Sequence, residues 1–187
     1  MRVVFVAALE EESRSLAQHV RVHHLGVGKV QAASALAAIL RDEPADLVVN
    51  LGTAGGLHGQ PLGTLVEIAR VHQHDFDHEG VSRFVGRPQP GGPIELSGPD
   101  GATGRLATGD RLIASAKARA ALAAHADVVD MEGYAVAAVA RAMGRDAWLV
   151  KAVSDGADDD MVDNWHEALA RCSDELARWA EGRGLLG

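Results

Sequence analysis

Two carboxylates close two apolar runs late in the chain. Val128 and Val129 lead into Asp130-Met131-Glu132, and residues 147–153 lead into Ser154-Asp155. Valine-rich runs of this kind read as strands buried on both faces. A helical run, residues 134–143, lies between them. In an open α/β sheet, ligands sit beyond the carboxyl ends of the strands. Glu132 and Asp155 are therefore expected at one rim, where paired carboxylates suit acid/base work or the holding of sugar hydroxyls. A third acidic group follows the first apolar run: Glu10-Glu11-Glu12 come directly after residues 2–8. Acids in a first helical turn favour the helix dipole, which accounts for Glu10 and Glu11. Glu12, further along, can face back over the strand end.

The elements that must position these groups alternate. Residues 22–25 form a short strand, and Gly26-Val27-Gly28-Lys29 opens a helix over 30–40. That strand–glycine–helix context suits an anion or a sugar at a helix N-terminus. The glycine spacing fits neither the dinucleotide fingerprint nor the phosphate-binding P-loop. Residues 46–50 are a third strand, running into Leu51-Gly52-Thr53-Ala54-Gly55-Gly56-Leu57. This glycine-rich exit reads as a turn through which backbone amides and Thr53 approach a ligand. Residues 64–71 are a fourth strand, followed by His72-Gln73-His74-Asp75-Phe76-Asp77-His78. On a strand, His72, His74 and Phe76 share one face and Asp75 and Asp77 the other. A one-sided metal cage is hard to build that way, so no metal is expected, and no cofactor. Residues 86–104, dense in Gly and Pro, read as a loop. Residues 106–108 are a strand, 113–124 an Ala-rich helix. Residues 163–181 are a closing amphipathic helix with Trp165, Leu169, Leu176 and Trp179 inward. The result is one α/β domain spanning 1–187.

Composition narrows the function. The chain has 187 residues, 47% apolar but only 4% aromatic, and a net charge of −8. Nucleic-acid partners are not expected, because basic surface supplies most of that affinity. The one cysteine, Cys172, excludes an internal disulfide and fits a cytoplasmic setting. The N-terminus lacks the pattern of a signal peptide, and no run is long enough to span a membrane.

The chain resembles the 5′-methylthioadenosine/S-adenosylhomocysteine nucleosidases of the nucleoside phosphorylase superfamily. The resemblance rests on Ala7-Ala8-Leu9-Glu10-Glu11-Glu12, on Gly26-Val27-Gly28-Lys29, and on Asn50 to Gly56. It continues through His74-Asp75-Phe76-Asp77, Thr108-Gly109-Asp110, Asp130-Met131-Glu132-Gly133 and Ser154-Asp155-Gly156-Ala157-Asp158, all in the family's order. It implies a three-layer α/β/α sandwich with a mixed, mostly parallel central sheet, a homodimer, and hydrolysis of a purine nucleoside's N-glycosidic bond. Phe76 and Phe84 are expected contributors to the dimer near the site. By the same resemblance Asp155 protonates the base at N7, and Glu132 takes the ribose hydroxyls and stabilises the oxocarbenium-like transition state. Glu12 activates water from the opposite face, the geometry of an inverting glycosidase. Met131 packs on the sugar, Thr53 helps hold the water, Ser154 orients Asp155, and Ala54, Gly55, Leu112 and Ile113 complete the binding set.

The chain also departs from the family. Leu112 stands where an aromatic residue stacks on adenine, Lys151 stands for an arginine, and the chain is shorter. A phosphorylase needs cations for phosphate, which the family's phosphorylases supply by arginines where this chain has Asn50 and Glu10 to Glu12. Water is the expected nucleophile. The competing readings are a phosphate-dependent purine nucleoside phosphorylase, a futalosine-type nucleoside hydrolase, and a nucleoside-binding member without catalysis.

Overall fold

The valine-rich runs are strands. They are β1 (Val3–Ala7), β2 (Val22–His24), β3 (Leu47–Gly56), β4 (Leu65–Gln73), β5 (Ile94–Glu95), β6 (Gly104–Thr108), β7 (Val128–Asp130) and β8 (Asp146–Asp155). The helices are α1 (Glu10–Ser13), α2 (Lys29–Asp42), α3 (His78–Val85), α4 (Ala116–Ala123), α5 (Gly133–Ala142) and α6 (Trp165–Gly182). The structure, a computed structural model, describes residues 1–156 and 165–186, with Trp165 described by its backbone alone. The acidic residues Asp158, Asp159 and Asp160 and the inward contact expected of Trp165 lie outside the described residues.

All eight strands join one mixed sheet. β1 lies parallel to β2 and to β3. β3 runs parallel to β8 along almost its whole length and antiparallel to β7 at its end. β8 pairs antiparallel with β4, β4 parallel with β6, and β6 parallel with β7. The pairings β3–β8–β4–β6–β7–β3 therefore close a ring, with β1 and β2 added on one side and β5 on the other.

Strand alternation divides the core. Val4, Val6, Val48, Leu106, Val128, Leu149 and Val153 face α2 and α5, whose Leu36, Leu40, Val136 and Ala140 are buried against them. Phe5, Leu47, Val49, Leu51, Val150 and Ala152 face the other way, onto Leu16 and onto Cys172 and Leu176 of α6. This is the expected α/β/α layering around a mixed sheet. α2 holds to its layer with Ala32, Leu36 and Leu40, a spacing of one helical turn. Leu169 and Leu176 are buried as expected, while Trp179 is half-buried and donates from Nε1 to Glu67 at 2.6 Å.

Three local expectations change. The glycine-rich stretch after Asn50 is not a turn, because β3 continues through Gly56. Its glycines answer to close neighbours: a Cβ at Gly52 would lie 3.3 Å from Lys151 Nζ and 3.4 Å from Glu12 Oε1, and one at Gly56 would lie 2.9 Å from Gln60 Oε1. β4 stops at Gln73, so Phe76 does not share a strand face with His72, and Asp77 caps α3 by accepting from Gly80 N at 2.8 Å. α3 itself was not anticipated. The helix expected from residue 113 begins at Ala116, capped by Ser115.

Candidate active site

At one end of the ring the strands switch together from apolar to polar. On the same strand face, Val48 is followed by Asn50, Leu149 by Lys151, Val128 by Asp130 and Leu106 by Thr108. The apolar members are core, and the polar ones are all buried. They satisfy one another. Lys151 Nζ donates to Asn50 Oδ1 at 2.8 Å and pairs with Asp130 Oδ2 at 2.9 Å. Thr108 Oγ1 donates to Asp130 Oδ1 at 2.6 Å, and the Gly133 amide donates to Asp130 Oδ2 at 2.9 Å. Burial pulls the Lys151 ammonium down, but Asp130, Glu12 and Glu132 outweigh it and raise Lys151 above the ordinary lysine range. This layer is a charged floor.

Glu12 lies on the floor, buried. Its Oε2 accepts the Ala8 and Leu9 amides, each at 3.0 Å, and its Oε1 accepts the Thr53 amide at 2.8 Å and the Thr53 hydroxyl at 2.7 Å. The carboxylate thus ties β1, α1 and β3 together. Thr53, expected to help hold the water, donates both its amide and its hydroxyl to Glu12.

Glu132 begins α5 and is buried, with Oε1 accepting the Gly28 amide at 2.8 Å. The backbone there favours glycine: Gly28 has φ +93°, and a Cβ would meet Asp110 Oδ1 at 3.3 Å. Lys29 locks the same turn. Its Nζ donates to Asp75 Oδ1 at 2.5 Å and Gln73 Oε1 at 3.0 Å, while its amide donates to Asp110 Oδ1 at 2.8 Å. The motif residues Asp75 and Asp110 therefore hold Lys29, the residue after Gly28.

Asp155 ends β8, half-buried, and accepts from Ser154 Oγ at 2.7 Å. It shares a pocket of about 60 Å³ with Gly55, Met131, Leu112 and Ile113. Ala54 points instead into the core. Leu112, expected at the base, reaches this pocket but is 65% exposed. Arg111 also lines it and was not anticipated. His74 packs its ring where a side chain at Gly109 would stand, and its buried Nε2 has no hydrogen-bond partner. Among the described residues, no three His, Cys, Asp or Glu side chains converge as metal ligands.

Burial, reinforced by Asp130 and opposed by Lys151 and the Gly28 amide, pushes Glu132 up to about 7. The unfolded chain releases this proton near 4.5, the folded chain near 7. In that window the folded state binds more protons, so raising the pH favours unfolding. The expected loss is up to roughly 3 kcal/mol between about pH 4.5 and pH 7. Urea denaturation across this range should show the decline, and Glu132→Gln should flatten it. If ionised Glu132 is the active form, kcat/KM also climbs with a limb near 7.

A family model described as the phosphorylase superfamily matches residues 4–181. The 5′-methylthioadenosine/S-adenosylhomocysteine nucleosidase of Bacillus velezensis is 32% identical over 175 residues, covering 81% of this chain and 75% of that protein. The enzyme of the same name from Actinobacillus succinogenes is 28% identical over 164 residues, covering 77% and 71%. The crystal structure of the Neisseria meningitidis nucleosidase in complex with methylthio-immucillin-A superposes with a TM-score of 0.81 at 26% identity, covering 94% of this chain and 95% of that one. The match runs from the first strand into the last helix, and sequence and fold agree. The chain belongs to the phosphorylase superfamily, within its 5′-methylthioadenosine/S-adenosylhomocysteine nucleosidase family.

Proposed function

We propose that the chain hydrolyses the N-glycosidic bond of a purine nucleoside, with the 5′-methylthioadenosine and S-adenosylhomocysteine of its relatives' names as reference substrates. One observation carries the choice of water over phosphate. The Glu12 carboxylate stands beside Gly52, and the nearest buried cation, Lys151, is committed to Asp130 and Asn50. An anionic phosphate entering here meets a carboxylate and, among the described residues, no uncommitted buried cation.

The chemistry follows from charge. As the C1′–N9 bond breaks, its electron pair moves to the purine, and Asp155 delivers a proton to N7. The sugar becomes cationic, and Glu132 accepts its 2′ and 3′ hydroxyls while opposing that charge. Water attacks C1′ from the far side and gives its proton to Glu12. Thr53 and the Ala8 and Leu9 amides hold Glu12 for this step, and Ser154 holds Asp155. Met131 and Ile113 supply apolar walls.

The reading carries with it a homodimer and a cytoplasmic setting. α3 presents Phe84, 92% exposed, with Val81 and Val85 beside it and Phe76 just before it; a second copy is what we place there. The test of the function is base release from 5′-methylthioadenosine in phosphate-free buffer. We expect turnover unchanged by added phosphate. Turnover that requires phosphate overturns the reading in favour of a phosphorylase.

A further inference from the structure

The exits of β2, β4 and β6 meet at one cation. Lys29, the first residue of α2, keeps only 17% of its side chain exposed. Its ammonium donates to Asp75 Oδ1 and Gln73 Oε1 and lies 3.8 Å from Asp110 Oδ2. Asp75 uses its other oxygen to accept the Asp110 amide at 2.8 Å, and Asp110 Oδ1 accepts the Lys29 amide. The bonds form a closed circuit through Lys29, Asp75 and Asp110. Burial pushes the Asp75 carboxyl up, but Lys29 and the Asp110 amide outweigh it and hold Asp75 below the ordinary carboxylate range.

Two peptide planes join at Gly28. The plane after it is held at both ends: its N–H, from Lys29, by Asp110, and its C=O by the Ala32 amide at 3.0 Å. The plane before it carries the Gly28 N–H, which donates to Glu132. Only the φ and ψ of Gly28 relate the two planes, and a glycine restricts neither angle strongly. Among the described residues that amide makes the one hydrogen bond to the Glu132 carboxylate, whereas Glu12 accepts four. The placing of Glu132 therefore depends on how Gly28 is held.

We propose that Lys29, fastened by Asp75 and Asp110, is a positioning residue that aims the Gly28 amide at Glu132 and so fixes the carboxylate that takes the ribose hydroxyls. The inference rests on the nucleosidase reading and deepens it. The charges that act on Glu132 directly are Asp130 on β7, Lys151 on β8 and Glu12 on α1. Lys29 acts on it through the backbone.

The first arm of the test needs no turnover. The carboxyl ¹³C resonance of Glu132 reads its titration midpoint, near 7 in the wild type. Lys29→Met should raise that midpoint by about one pH unit, because a donor to the ionised form is lost. Asp110→Ala should raise it as well, although removal of a negative charge by itself lowers it. Asp110→Asn keeps an oxygen for the Lys29 amide and should stay near the wild type. The second arm measures kcat/KM for 5′-methylthioadenosine above these midpoints. It should fall about tenfold or more in Lys29→Met and Asp110→Ala, while the dissociation constant of free adenine stays within about threefold. A midpoint unmoved in either folded variant overturns the proposal, as does unchanged turnover. Adenine binding weakened as much as turnover also overturns it, since that is general loosening of the site. Should Lys29→Met fail to fold, the Asp110 variants decide by the same criteria. Absence of base release from every nucleoside by the wild type overturns the nucleosidase reading, and the midpoints then decide whether Lys29 positions Glu132.

Discussion

Asp155→Asn is expected to slow base release by about 10²–10⁴-fold while nucleoside binding stays within a few-fold. The amide matches the carboxyl in shape, so Ser154 still has an oxygen to donate to, and the end of β8 is undisturbed. On the proposed mechanism, what disappears is the proton for N7. A purine anion is a poor leaving group, and neither Glu12 nor Glu132 substitutes, since both are engaged by backbone donors elsewhere on the floor. A substrate with a more acidic leaving group, such as a p-nitrophenyl riboside, separates the explanations. Its hydrolysis should fall far less in the variant than that of a purine nucleoside. Equal losses on both substrates would mean that Asp155 acts on the fold or the sugar.

Glu12→Gln is the second large effect, and it has two parts. The amide nitrogen must face either the Ala8 and Leu9 amides or the two Thr53 donors, setting donor against donor in a buried place. That costs about 1–3 kcal/mol of stability. On the proposed mechanism the base is also gone, so turnover should fall by about 10²–10⁴-fold. The parts separate by temperature. Well below the melting transition the variant is folded, and whatever activity is missing there belongs to water activation. Recovery of full turnover in the cold would assign Glu12 a purely structural role.

How much of this was legible in the sequence depended on range. Glu12, Glu132 and Asp155 announced themselves because each follows an apolar run, and the periodicity of those runs is a local property. The continuation of β3 through Gly52 and Gly56 was not legible. Glycine there reads as turn chemistry, whereas its cause is the approach of Lys151 and Gln60 from distant parts of the chain. The closing of the ring was hidden for the same reason, since β3 meets β8 about a hundred residues later. The buried floor did leave a trace. An apolar residue followed two places on by a polar one recurs at Val48/Asn50, Leu106/Thr108, Val128/Asp130 and Leu149/Lys151. Four strands ending alike point to a shared polar layer, although which residue bonds to which requires the registers. Arg111 left no trace, because a charged residue in a polar stretch has the look of ordinary surface.

The closed run of pairings β3–β8–β4–β6–β7 has a consequence for where the molecule opens. A strand in a ring is laced on both sides, so it cannot peel away singly; two ladders must break at once. β2 and β5, each paired on one side among the described residues, can fray alone. Sub-global unfolding is thereby routed to the margins. Amide exchange at Leu51, Val150 and Val153 should report only the global transition, while β2 and β5 exchange earlier. The strands that carry Asn50, Asp130 and Lys151 are then the last to yield, and the loops around them can shorten without loosening the spacing of the acids.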